Sequence, residues 1–157
     1  IPIISYNYGA QKPDRMKRTM KLGVIVGCSI MVFCLAIMQV FPGQILKIFD
    51  ATDEMLLMGI PAVRIMSTAF IFAGFSVTCS GMFQAVGKGV YSMIVSMARQ
   101  LFVILPVAYF LSKAMNSVNG VWAAFPIAEV FSVIISTILL LRVYKKIVKP
   151  MESVQRD

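Results

Sequence analysis

Residues 120–141 read GVWAAFPIAEVFSVIISTILLL, and this stretch decides the fold class. Its only charged side chain is that of Glu129, near the middle. An α-helix rises about 1.5 Å per residue, so a run of this length crosses the roughly 30 Å hydrocarbon core of a bilayer. The segment therefore predicts a transmembrane helix that carries one carboxylate at mid-depth.

Three similar apolar blocks precede this segment, at about residues 22–41, 55–83 and 90–111. None of them alternates apolar and polar residues as a membrane β-strand does. The connections between blocks are short, which favours antiparallel neighbours. The sequence thus predicts an all-α integral membrane fold, with four antiparallel transmembrane helices in residues 22–141.

The flanking segments are basic. Residues 1–21 combine the end of a preceding helix with a loop, and residues 142–157 form a tail. Together with the Lys88 connection, they hold most of the fifteen Lys and Arg residues. Lys and Arg are enriched in cytoplasmic loops, so these segments, including the C-terminus, are predicted to be cytoplasmic. Because the apolar bundle separates the two basic clusters, the expected partner is the lipid bilayer and not nucleic acid.

The composition excludes several other classes. Hydrophobic residues make up 59% of the 157 residues and charged residues only 14%, whereas soluble domains carry about a quarter charged residues. The chain has no His, which excludes catalysis or metal binding by His. Its three cysteines lie in apolar runs and are interpreted as buried packing residues. With no nucleophile–base pair or metal-ligand set visible, we expect neither an enzyme nor a bound cofactor.

Charged residues inside the spans are the best functional candidates, because an ionisable group at the bilayer centre costs about 3 kcal/mol. Arg99 and Glu129 lie near the middle of consecutive spans that run in opposite directions. Their depths differ by roughly 4–5 Å, which a long arginine side chain can bridge. We therefore expect both side chains to face the same interior or cavity.

Polar neighbours extend this face at helical spacing. The candidate ion or substrate pathway comprises Glu129, Arg99, Gln100, Ser96, Ser132 and Ser136. The alternative is ordinary helix packing, because Ser and paired charges also hold membrane helices together. Arg64 lies near the outer end of its span, where its side chain can reach the interface, and no role is assigned to it.

Three stretches resemble the multidrug and toxic compound extrusion (MATE) transporters. Residues 2–10, PIISYNYGA, resemble the end of that family's eighth helix. Residues 84–88, QAVGK, followed by Arg99 and Pro106, resemble the region of its tenth and eleventh helices. Residues 119–129, NGVWAAFPIAE, resemble the start of its twelfth helix.

The resemblance implies a C-terminal fragment, from the end of helix 8 through helix 12, of a twelve-helix transporter with two lobes. Such proteins exchange Na⁺ or H⁺ for organic, often cationic, compounds by alternating access. The implied partners are the missing N-terminal lobe of the same polypeptide and small organic cations. The implied location is the plasma membrane of a bacterium. The family's cation site in the N-terminal lobe cannot be assigned to any residue of this chain.

Two rival functions remain beside this one. A lipid-linked saccharide flippase of the same superfamily would favour a larger and more cationic cavity than Arg64 and Arg99 provide. A small four-helix channel or membrane subunit would act alone, whereas this chain begins as if inside an apolar element. We therefore expect part of an efflux antiporter whose buried carboxylate exchanges a proton or Na⁺ for a cationic substrate, since both need the same negative charge.

Overall fold

The computed structural model describes residues 1–154, and within that range every regular element is a helix. Two of the elements are π-helical segments that continue a neighbouring α-helix. In chain order the elements are α1 (Pro2–Gly9), α2 (Pro13–Val40), α3 (Pro42–Ile48), α4 (Asp53–Ser67), α5 (Phe70–Ala85), α6 (Gly89–Met97), π1 (Ala98–Ile104), α7 (Leu105–Met115), α8 (Asn119–Val143), π2 (Tyr144–Val148) and α9 (Lys149–Val154).

Several of these helices are long and apolar enough to cross a membrane. They are α2, the continuous helix over Gly89–Met115 and the continuous helix over Asn119–Ser153. A fourth span is obtained if α4 and α5, which meet at an angle of 55°, are taken as one broken helix. The prediction of an all-helical membrane fold is therefore confirmed.

The bend between α4 and α5 divides the apolar block predicted over 55–83 into two helices. It lies at Thr68 and Ala69 and not at Pro61, which α4 accommodates. Ser67 Oγ donates to the Arg64 carbonyl at 3.1 Å, and Thr68 Oγ1 donates to the Ile65 carbonyl at 2.7 Å. Hydroxyls that bond back to the preceding turn compete with the backbone amides, and this competition bends a helix.

Both π segments precede a proline. π1 ends two residues before Pro106, and π2 ends two residues before Pro150. Proline lacks an amide proton, and its ring collides with the carbonyl four residues earlier. The wider i→i+5 turn relieves that collision while the helix continues. As a result, Arg99 and Gln100 lie in π1 and not in a regular α-helix.

Helix α5 packs between α2 and α8 at the centre of the bundle. A small-residue contact brings α2 and α5 close together. A Cβ added to Gly74 would lie 2.8 Å from the Cα of Cys28, which leaves no space for a methyl group. The core next to this contact is apolar and includes Met16, Cys79 and Phe83, all fully buried.

The predicted tail is largely ordered as a helix. Val148 and Met151 are buried, and Lys17 Nζ lies 2.7 Å from Glu152 Oε1, which joins α9 to the basic first turns of α2, before its apolar span. Hydrogen bonding to Glu152, and then to Asp14, raises the pKa of Lys17. The last three residues of the predicted tail, Arg156 among them, lie outside the described residues.

Candidate functional site

Arg99 and Glu129 meet inside the helix bundle. π1 carries Arg99 and α8 carries Glu129, and Arg99 Nη1 donates to Glu129 Oε1 at 2.6 Å. The Glu129 side chain is 10% exposed and that of Arg99 is 27% exposed, so the carboxylate is the more deeply buried partner. The structure thus brings together the two charges that the depth argument placed at one level.

The contact is a single hydrogen bond and not a bidentate pair. A guanidinium has five N–H donors, and within residues 1–154 that of Arg99 uses one of them, on Glu129 Oε1. The other carboxylate oxygen, Oε2, is buried and has no hydrogen-bond partner in the described part of the chain. Many arginine–carboxylate pairs use two parallel bonds, whereas this pair uses one short charge-assisted bond and leaves Oε2 open.

Two serines continue the unpartnered face along α8. Ser132 and Ser136 are at most 1% exposed, and their hydroxyl oxygens have no hydrogen-bond partner in the described structure. The neighbouring Thr137 instead bonds back to the Val133 carbonyl at 2.7 Å. Buried polar atoms are almost always hydrogen-bonded, so three unsatisfied groups on successive turns mark a place for water, a proton or a cation.

A cavity of about 380 Å³ borders the carboxylate. We call it the carboxylate cavity. Its polar groups are those of Ser67, Arg99, Gln100 and Glu129, and the rest of its wall is apolar. The apolar wall comprises Met38, Val63, Met66, Ala69, Phe70, Ala73, Ile104 and Phe125. Apolar pockets with a few placed polar groups are typical binding sites for small organic molecules.

A second cavity, of about 340 Å³, is lined mainly by residues of α5 and α6 and also by Arg99. We call it the serine cavity, because hydroxyl groups from both helices line it: Ser76, Ser80, Ser92 and Ser96. Gln84 also lines it and donates from Nε2 to Ser92 Oγ at 3.1 Å. Among the described residues, only Arg99 lines both cavities.

The remaining predicted residues are divided between these features. Gln100 lies at the exposed edge of the carboxylate cavity, and Ser96 lies at the exposed edge of the serine cavity. The structure therefore does not bring Gln100 and Ser96 into one site. Arg64 is exposed and lines neither cavity, although its carbonyl oxygen accepts a hydrogen bond from Gln39 Nε2 at 2.8 Å.

Sequence reasoning missed the other walls of the carboxylate cavity. Met38, Phe70 and Phe125 resemble lipid-facing filler in the sequence, because nothing in their spacing marks them as cavity residues. Gln39 gives the clearest signal, since it is a polar residue near the end of an apolar block. Its Nε2 reaches Ser67 Oγ at 3.0 Å and so ties α2 to the bend that shapes the cavity.

No group of three or more His, Cys, Asp and Glu side chains that could hold a metal occurs within residues 1–154. The acidic group at the site is Glu129 alone, with hydroxyl oxygens as its polar neighbours along α8. Oxygen atoms of this kind suit a proton or a hard monovalent cation better than a transition metal.

Comparison with known proteins gives consistent relatives. The sequence profile of the family described as MatE matches residues 1–110. The multidrug export protein MepA of Staphylococcus haemolyticus (strain JCSC1435) is 26% identical over 123 residues, which cover 78% of this chain and 27% of MepA. The probable multidrug resistance protein YoeA of Bacillus subtilis (strain 168) is 26% identical over 128 residues, which cover 81% of this chain and 28% of YoeA. The chain thus spans less than a third of the length of these relatives.

Solved structures show the same fold. The MATE multidrug transporter DinF-BH, determined as a complex with a ligand, has a TM-score of 0.77 and 32% identity over 88% of this chain and 31% of its own. An inward-facing MATE family multidrug resistance transporter of the MOP superfamily has a TM-score of 0.84 over 97% of this chain and 34% of its own. The latter is 18% identical, so its likeness concerns the fold alone.

Proposed function

The chain belongs to the MatE family, the MATE transporters, and we therefore propose that it is part of an efflux antiporter for small organic compounds. In this proposal the transporter works by alternating access, in the plasma membrane of a bacterium, and an inward flow of Na⁺ or H⁺ drives export. The rest of the polypeptide supplies the N-terminal lobe. The C-terminus faces the cytoplasm, because the basic segments at both ends of the chain follow the positive-inside pattern.

The observation that carries the proposal is the unpartnered oxygen of Glu129. This buried carboxylate lies in the wall of a largely apolar cavity, and its Oε2 has no hydrogen-bond partner in the described chain. A buried carboxylate in a low-dielectric site is stabilised by positive charge, which Arg99 supplies at Oε1, and Oε2 stays open to a proton or a further cation. Glu129 is thus suited to bind a coupling ion and an organic cation in turn.

The apolar wall of the carboxylate cavity gives the organic part of a substrate its binding surface. Met38, Phe70 and Phe125 come from three different helices and meet around the cavity. Methionine side chains adapt to different shapes, and aromatic rings attract organic cations through their π faces. This combination favours a range of compounds over one particular compound, in keeping with the multidrug names of MepA and YoeA.

The proposal is tested in the full-length protein by replacing Glu129 with Gln. Glu129→Gln keeps the side-chain shape and removes the negative charge, so coupled efflux of a cationic dye from proteoliposomes should fall at least tenfold, as for loss of about 1.4 kcal/mol of ion binding. Glu54→Gln is the matched control, because Glu54 is exposed in the first turn of α4. Equal efflux by wild type and Glu129→Gln, at equal amounts of inserted protein, would remove Glu129 from the mechanism.

A flippase for lipid-linked saccharides is less well supported. Such a substrate carries phosphate groups, which favour a cavity with several free cationic groups. The carboxylate cavity has one cationic side chain, that of Arg99, and Glu129 already binds it. The charge of this site is therefore better matched to a cation than to a phosphate.

A further inference from the structure

We propose that Arg99 is a tethered counter-ion, which occupies Glu129 when no cation is bound and moves into the serine cavity when one arrives. This inference rests on the proposed function, because it describes how the same carboxylate is kept neutralised between transported ions. It assigns to Arg99 a second position, which the ion pair alone does not suggest.

The contact between Arg99 and Glu129 uses few of the donors that Arg99 has. Its guanidinium is bound to Glu129 through a single hydrogen bond at 2.6 Å, and its remaining donors have no partner in the described chain. A buried charge without a counter-charge is strongly unfavourable, so Glu129 needs a cation at all times. Arg99 supplies this positive charge through one hydrogen bond, so an incoming cation has to displace only that bond.

Arg99 adjoins two cavities. It lines both the carboxylate cavity, where a cation would reach Glu129, and the serine cavity. An arginine side chain has several staggered rotamers, and the proposed movement is a change between two of them.

The serine cavity has the chemistry to bind a guanidinium. Its hydroxyl oxygens, from Ser76 and Ser80 on α5 and from Ser92 and Ser96 on α6, are hydrogen-bond acceptors. Gln84 binds Ser92 through its amide nitrogen, so its amide oxygen is not used in that bond. Several neutral acceptors suit the donors of a guanidinium that has left its carboxylate. The serine cavity is thus a second binding site for a cationic side chain of the chain itself.

The inference is tested by equilibrium binding of tritiated tetraphenylphosphonium to the full-length protein in detergent. Arg99→Gln removes the competing cation, so the probe should bind about tenfold more tightly than to wild type, within the usual range of coupling between sites. Arg99→Gln combined with Glu129→Gln should lose this gain. Arg64→Gln is the matched control, because Arg64 is exposed and lines neither cavity.

A second pair of variants tests whether the guanidinium moves into the serine cavity. Each variant is measured with Arg99 present and in the Arg99→Gln background. Ser80→Leu fills part of the serine cavity, so it should weaken probe binding when Arg99 is present and have no effect in the Arg99→Gln background. Ser29→Leu, on the exposed face of α2, should have no effect in either background. An equal effect of Ser80→Leu in both backgrounds would overturn the movement of Arg99.

The outcomes separate the inference from the proposed function. If Glu129→Gln alone abolishes probe binding while Arg99→Gln weakens it or leaves it unchanged, Glu129 keeps its role and the tethered counter-ion is wrong. If Glu129→Gln binds the probe as tightly as wild type, the proposed role of Glu129 fails and the inference fails with it.

Discussion

At the scale of single residues, Arg99 neutralises the buried carboxylate of Glu129 and donates one hydrogen bond to it at 2.6 Å. Arg99 and Glu129 stand out in the sequence because charged groups are expensive in a bilayer, and helix rise alone places them at similar depth. The single hydrogen bond and the unpartnered Oε2 depend on side-chain rotamers and on the register of π1. Those features follow from tertiary packing, which no periodic pattern in the sequence reports.

We expect the loss of Arg99 to destabilise the protein more than the loss of both charges. Arg99→Ala leaves a buried carboxylate without a counter-charge, at a cost of about 3 kcal/mol. Arg99→Ala combined with Glu129→Gln removes that unpaired charge and should recover most of the loss. Thermal unfolding midpoints of the full-length protein in detergent measure both effects. Additive losses would show that the two side chains are not energetically coupled.

At the scale of helices, the apolar blocks predicted where helices lie but not where they break. The bend at Thr68 and Ala69 has neither Gly nor Pro, and two adjacent hydroxyl side chains, those of Ser67 and Thr68, bond back to the preceding turn there. The three prolines inside the apolar blocks differ in the kind of helix that surrounds them. Pro61 and Pro126 lie in α-helices, whereas Pro106 follows a π segment. Local sequence does not distinguish these cases, because packing against neighbouring helices determines which backbone distortion has the lowest free energy.

We expect the bend between α4 and α5 to depend on the hydroxyl groups of Ser67 and Thr68. Replacing Ser67 with Ala and Thr68 with Val removes both hydroxyls, so α4 and α5 should straighten and the distance between Thr52 and Ala85 should increase. Pulsed electron paramagnetic resonance between spin labels at these two positions of the full-length protein measures that distance. Ser112→Ala is a suitable control, because Ser112 makes the same kind of bond, to the Tyr109 carbonyl, outside the bend. An unchanged distance would place the cause of the bend elsewhere.

The close contact between α2 and α5 leads to a prediction about stability. Gly74→Ala places a Cβ 2.8 Å from the Cα of Cys28, so the two helices must separate. Overpacking of this kind costs about 1–3 kcal/mol, and the thermal unfolding midpoint should fall accordingly. Gly89→Ala is the matched control, because nothing lies within 4 Å of a Cβ added there. Equal midpoints for the two variants would mean that the α2–α5 contact is not close packed.

At the scale of the whole molecule, composition and hydropathy already indicate a membrane bundle, and the MatE profile and the solved MATE structures agree with it. What the pattern of charges did not predict is the order of the tail. Its basic residues predicted a cytoplasmic tail and gave no sign of a helix, but apolar residues at helical spacing bury Val148 and Met151. Apolar residues among lysines are easily overlooked, because the charges dominate the average hydropathy.

The ion pair between α2 and α9 should depend on pH in one direction. The pKa of Lys17 is raised on folding, so its stabilising effect is present below the ordinary lysine value of 10.5 and is lost as pH rises through the raised value. Lys17→Arg stays charged throughout, so the thermal unfolding midpoint of wild type should fall below that of Lys17→Arg above pH 10.5. If the difference between the unfolding midpoints of wild type and Lys17→Arg stays constant between about pH 9 and pH 11.5, the charge of Lys17 is not involved.

The π segment before Pro106 has a practical consequence for anyone mapping the helix over 89–115. A π turn takes in one extra residue, and one residue corresponds to about 100° of rotation around an α-helix. A single helical wheel drawn through this span therefore misplaces the residues of its C-terminal half by about 100°. Scanning mutagenesis of Leu105–Met115 needs a register counted from Leu105, or positions will be assigned to the wrong face.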